Sequence, residues 1–132
     1  MLNYDKKETV LLGATEYTLN GQLHRTDGPA VEQTDGDKYW YQYGGLHRLN
    51  GPAIECLYDY NAWYINGKLH RLDGPAVENY DGSKTWAQYG KLHRLDGPAY
   101  ERSDGHKEWW LAGKKYREKR YWKEIKKLTL TP

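Results

Sequence analysis

A register of 23 residues runs through this chain without a slip. His24, His47, His70 and His93 keep it, and so do Trp40, Trp63, Trp86 and Trp109. Pro29, Pro52, Pro75 and Pro98 keep it too, as do Glu32, Glu55, Glu78 and Glu101. A segment this short cannot enclose a core alone, so successive copies must bury their faces against one another. Partial copies extend the register both ways. Tyr17 takes the Trp slot upstream, and Gly113, Tyr116 and Arg117 take the Gly, His and Arg slots downstream.

Turn chemistry divides each copy. In the first, "PAVEQT" leads to Asp35-Gly36, then "DKYWYQ", then Tyr43-Gly44 and "GLHR". Asp-Gly between alternating runs predicts a two-residue hairpin turn of type I′, which needs positive φ. The Asp/Asn-Gly-Pro after each "LHR" predicts a second turn, with a Gly that tolerates unusual φ and a Pro that ends the pairing. Each repeat is thus a short hairpin plus a short third segment. With 13 Tyr, 6 Trp and no Phe, the large apolar surface is aromatic with polar tips. The Trp column is expected inside the stack, with base stacking on exposed rings as the competing use.

The expected fold is all-β: stacked antiparallel β-hairpins in a single repeat domain over 1–132. A cap hairpin in 1–20, carrying "ETVLLGATEYTL", precedes four full repeats in 21–112. A basic cap follows in 113–132, where Tyr121, Trp122, Ile125 and Leu128 fall at helical spacing and predict a short amphipathic helix.

The unit of one Trp, a Gly four residues on, a His three beyond it, another Gly and a closing Asp-Gly resembles the MORN repeat over nearly the whole array. It departs in the Arg after each His and in the Gly-Pro-Ala. The "LHRxDGPA" wording resembles repeats of poorly characterised phage and other viral proteins. The first resemblance implies a hairpin stack, and lipid contact has been proposed for such arrays. The second implies a protein that binds or inhibits a host factor in the host cytoplasm.

Catalysis is not expected. An active site needs one asymmetric set of acid, base and oxyanion donors, whereas these residues recur in every repeat. Neither a Gly-rich phosphate loop nor a zinc-protease or serine-hydrolase signature is present. Equivalent His residues, two strands apart, would be separated by roughly 10 Å, too far to share zinc at about 2.0–2.1 Å from each nitrogen. A His bonded to backbone or carboxylate is the simpler role, and no metal or cofactor is expected. Arg25, Arg48, Arg71 and Arg94 read either as Arg–Glu or Arg–Asp ladders between repeats or as an anion-binding row for a nucleotide.

Function in repeat proteins lies in the slots that differ. Tyr39, Tyr41, Tyr64 and Trp110 flank the Trp column on the opposite strand face, as outer interaction surface or as cross-strand packing. The second repeat reads "ECLYDYNAW" where the others carry Asp-Gly, so Leu57, Tyr58 and Tyr60 mark a tip that meets a partner or tucks against a neighbouring element. Residues 114–132 hold eight Lys or Arg against two Glu, a net of +6 in a chain of +2. Lys119, Arg120, Lys123, Lys126 and Lys127 there read as a solvated helix face, or as a site for an acidic partner, nucleic acid or anionic lipid. Cys56 is the only cysteine, and nothing approaches a membrane span. The leading expectation is a cytoplasmic, non-enzymatic module that binds another protein or a second copy of itself. The alternative is sequestration of a small anionic ligand.

Overall fold

The structure is a computed structural model that describes residues 5–9 and 13–130. The chain divides into two units, residues 1–68 and 69–132. In the first, Asp5–Thr9, Ala14–Leu19, Val31–Gln33, Lys38–Tyr39, Ile54–Glu55 and Tyr60–Ala62 pair antiparallel in chain order. The turn of the expected opening hairpin, at 10–12, lies outside the described residues. In the second unit the same meander runs through Val77–Asn79, Lys84–Thr85, Tyr100–Glu101, Lys107–Leu111 and Lys114–Tyr116. The helix Glu118–Leu130 follows. The fold is therefore built of β-hairpins, with one helix at the C-terminal end.

Each repeat carries two hairpins, where one hairpin and a short third segment were expected. The strand entering Trp40 belongs to the main meander, and the strand leaving it, Tyr41–Gln42, turns back on Gly45–Leu46 as a small sheet. Ala87–Gln88 and Lys91–Leu92 do the same beyond Trp86.

The type I′ turn does not fall at Asp-Gly as expected. At Asp35-Gly36 only the Gly has positive φ, 100°, and the Gln33 carbonyl accepts from Gly36 N–H. The two-residue turn with both centres at positive φ is the one just before each "LHR" strand: Tyr43 at 49° with Gly44 at 81°, and Tyr89 at 50° with Gly90 at 81°. Left-handed φ costs a non-glycine residue roughly 1–2 kcal/mol, and Asn20 and Asn66, in equivalent slots, tolerate it best. At Tyr43 a neighbour compensates. Its N–H donates to Nδ1 of His24, nineteen residues earlier, at 2.9 Å, and its ring lies 4.3 Å from the imidazole. Asn66 donates likewise to His47, Tyr89 to His70 and Ala112 to His93. Accepting at Nδ1 requires that nitrogen to be unprotonated, so the repeated His is a backbone acceptor for the turn nineteen residues on.

The core also differs from expectation. The Trp column does not fill it: Trp40, Trp63, Trp86 and Trp109 are half-buried. The fully buried column is the Ala of Gly-Pro-Ala, with Ala30, Ala53, Ala76 and Ala99 all at 0% exposure. Ala30, Ala53 and Ala99 each accept, at the carbonyl, the N–H of the aromatic residue at the Trp slot one repeat earlier, at 2.7–2.8 Å. A larger side chain would force those backbones apart, and overpacking of this kind costs about 1–3 kcal/mol.

One turn carries its own ion pair. Asp104 receives bonds from Arg102 Nε at 2.9 Å and His106 N–H at 3.0 Å, and its second oxygen lies 2.7 Å from Arg102 Nη2. The Arg102 bond first, then the backbone N–H, holds this carboxyl at about 2. A depressed folded pKa means the contribution is complete above the ordinary value of 3.8 and fades as pH falls toward about 2. A carboxyl titration followed by NMR is expected to place Asp104 near 2, and Arg102→Ala to return it toward 3.8. An ordinary midpoint in the unmodified protein would contradict the pairing.

Candidate functional site

The phrase His-Arg-Xaa-Asp-Gly-Pro-Ala closes on its own arginine. Arg25 Nε donates to Asp27 at 2.9 Å, and Nη1 donates to the Pro29 carbonyl at 3.1 Å and to Glu32 at 3.0 Å. Its guanidinium carbon lies 4.0 Å above the Tyr17 ring. Arg94 repeats this with Asp96 at 3.0 Å, Pro98 at 3.0 Å, Glu101 at 3.2 Å and the Trp86 ring at 3.7 Å. Arg71 bonds Asp73, Pro75 and Glu78, each at 3.0 Å. The Arg–Asp and Arg–Glu pairs therefore form within a repeat, not as a ladder between repeats. The arginine's own tie to the repeat before is its cation over that repeat's aromatic ring.

This clamp also explains the turn glycine. Gly28, Gly51, Gly74 and Gly97 do not use the positive φ that glycine tolerates. A Cβ at Gly28, Gly51 or Gly74 would sit 2.9 Å from the guanidinium carbon three residues earlier, and at Gly97 3.0 Å from it. Gly is needed for space, not for conformation.

Between consecutive clamps lies a groove. In the first unit it encloses about 420 Å³, with Trp40, His47 and Gln42 lining it and Arg25, Arg48 and their turns along its rims. In the second unit an equivalent groove of about 630 Å³ lies against Trp86 and Gln88, between Arg71 and Arg94. The residue after each clamp arginine stands out from the rim: Leu49 is 76% exposed, Leu72 72% and Leu95 53%. Sequence reasoning passed over these leucines. Their signal was an aliphatic residue held between two polar ones in a turn, repeated three times where the first copy has Thr26.

The outer aromatics of the first unit gather together. The Tyr39 hydroxyl lies 3.7 Å from Cys56 Sγ, and Cys56 itself is buried. Burial raises the Tyr39, Tyr41 and Tyr60 phenols and the Cys56 thiol above their ordinary pKa values. Neighbouring phenols add to this, Tyr64 acting on both Tyr41 and Tyr60. Tyr39, Tyr41, Tyr60 and Tyr64 are thus half-buried in one cross-strand cluster. Trp110 belongs to the second unit, half-buried, with its indole N–H enclosed and lacking an acceptor among the described residues.

At the divergent tip one residue tucks against a neighbouring turn and the next is exposed. Leu57 N–H donates to Asp37 at 3.1 Å, and its side chain closes over Gly36, where an added Cβ would meet it at 2.7 Å. Tyr58 points out, 81% exposed. On the helix, Lys119, Arg120, Lys123, Lys126 and Lys127 are all exposed. Arg120 and Lys127 both bond Glu124, at 3.0 and 3.2 Å. Lys119, Lys123 and Lys126 follow one another at helical spacing on a separate face.

No family model, curated protein or solved structure matches the chain. Among the described residues no helix is long and apolar enough to cross a membrane.

Proposed function

We propose that the protein is a non-enzymatic binding module that docks another protein along the rims of its Trp-lined grooves. The observation that carries this is the exposure of Leu49 and Leu72, 76% and 72%, on turns whose proline carbonyls the clamp arginines bond. An isolated exposed leucine is ordinary. The same residue at the same slot, beside the same groove in each unit, is a surface prepared for apolar contact, since a preordered turn loses little entropy on binding. Tyr58 and the exposed part of Leu57 add a second contact on the first unit. The grooves favour an extended partner segment that sets small apolar groups between the leucines.

Burying one leucine is worth about 1.5–3 kcal/mol, so Leu72→Ser with Leu95→Ser is expected to weaken a complex by about a hundredfold. The measurement is native mass spectrometry of the tagged protein recovered from its own cells, with thermal melting of the variant in parallel. A stoichiometric partner lost from the double variant at unchanged melting temperature supports the reading. A partner retained by that variant and lost only on Tyr58→Ser would move the docking surface to the tip and defeat the groove reading.

A further inference from the structure

Three of the four clamps supply their own carboxylate at the turn, and one does not. Asp27, Asp73 and Asp96 accept from the Nε of Arg25, Arg71 and Arg94 at 2.9–3.0 Å. In the second repeat the slot holds Asn50, a neutral amide. Arg48 still bonds the Pro52 carbonyl at 3.0 Å and lies 3.7 Å above the Trp40 ring. Its Nε has no partner among the described residues, and its Glu55 contact is stretched to 3.7 Å, against 3.0–3.2 Å in the other repeats. The side chain is 26% exposed and lines the groove of about 420 Å³ together with Arg25, Asn50 and Gln42. The corresponding groove of the second unit is lined by two arginines and two aspartates, whereas this one has two arginines and a single aspartate.

From this we infer that the Arg48 groove is a carboxylate-recognition site, in which an external carboxylate takes the position that Asp27, Asp73 and Asp96 occupy in the sister repeats. The protein itself supplies the template. An oxygen in the plane of the guanidinium, bonded at Nε, is the arrangement the other three clamps adopt, and a charge-assisted bond of this kind is about twice as strong as a neutral one. The Asn50 amide can donate a further bond to the incoming oxygen. A phosphate dianion suits the groove less well, because Asp27 lines it and Glu55 stands behind Arg48. The inference deepens the docking reading by giving the partner an acidic group beside its apolar ones. Its test does not depend on any partner being found.

The test is an NMR titration of the arginine Nε–Hε signals with sodium acetate, at ionic strength held constant with chloride. The Arg48 signal, assigned through Arg48→Lys, is expected to shift saturably while those of Arg71 and Arg94 hold still. Asn50→Asp fills the site from within, as the other repeats do, and is expected to weaken acetate binding at least tenfold. No saturable shift at Arg48, an equal shift in Asn50→Asp, or tighter binding of inorganic phosphate than of acetate would each overturn the assignment. The peptide acetyl-Leu-Asp-Leu-amide then separates the sources of the carboxylate. Affinity tenfold or more above that of acetate places it on a protein side chain, and equal affinity places it on a free small acid.

Discussion

Arg94→Ala is expected to lower stability by about 2–4 kcal/mol, which for a chain of this size moves the melting temperature by roughly 10 °C. The contributions are unequal. Asp96 is 86% exposed, so its ion pair adds little. More comes from the bond to the Pro98 carbonyl, from Glu101 at 35% exposure, and from the Trp86 face 3.7 Å below. A cation over an aromatic ring contributes about 0.5–2 kcal/mol. Removing the arginine also leaves the Pro98 carbonyl without this donor and uncovers Trp86. Arg94→Lys is expected to recover less than half, because an ammonium can neither lie flat on the ring nor bond two acceptors in one plane. Arg48→Ala is expected to cost less than Arg94→Ala, since Arg48 lacks the turn carboxylate and its glutamate is more distant. Equal losses at the two positions, read by chemical denaturation, would show that the clamp is not what stabilises the turn.

The same clamp marks the boundary of what could be read from the chain. The period of 23 residues, the hairpins and the C-terminal helix were legible, because turn residues and periodicity are local signals. The assignment of turn types was not. Asp-Gly favours a type I′ turn by its own chemistry, but the turn with two positive-φ centres falls at the following Xaa-Gly, where His24, His47, His70 and His93 each hold a backbone N–H nineteen residues on. The size of Trp suggested a Trp core, yet stacking under an arginine keeps Trp40 and Trp86 half-buried while Ala53 and Ala99 fill the interior. In each case a contact from outside the local segment accompanies the departure from its own preference.

The candidate site shows the same limit from the other side. Tyr39, Tyr41, Tyr60 and Tyr64 were singled out because they vary between repeats, and they do cluster. Their phenols serve cross-strand packing as well as surface, which alternation along a strand cannot distinguish. Leu49, Leu72 and Leu95 vary hardly at all and so attracted no notice, although the clamp beneath them makes them the most consistent exposed apolar feature of the molecule. Asn50 differs from its counterparts by one amide. Only the distances around Arg48 give that difference a meaning.

The second large effect is expected at the C-terminal cap. Tyr121 is 0% exposed, and its hydroxyl donates to the Arg94 carbonyl while accepting the Gly97 N–H at 3.2 Å. One phenol therefore joins the helix to the last clamp turn at two backbone points. Deleting a buried aromatic side chain costs about 3–5 kcal/mol, and here the loss reaches further. The helix has 13 residues, a length at which isolated helices are marginal in water, below about 12–15. Glu118 in its first turn and Lys127 in its last suit the helix dipole, but such exposed charges contribute only about 0.3–1 kcal/mol each. Tyr121→Ala is thus expected to remove both the stability and most of the helical far-ultraviolet signal. Tyr121→Phe is expected to keep the helix and lose about 1–3 kcal/mol, the cost of leaving two buried backbone groups without their partner. If Tyr121→Ala retained the helical signal, the anchor would be Ile125 with Trp122, whose ring meets Tyr121 edge-on at 4.9 Å. The basic face of Lys119, Lys123 and Lys126 would then be carried by a helix that orders itself without the last repeat.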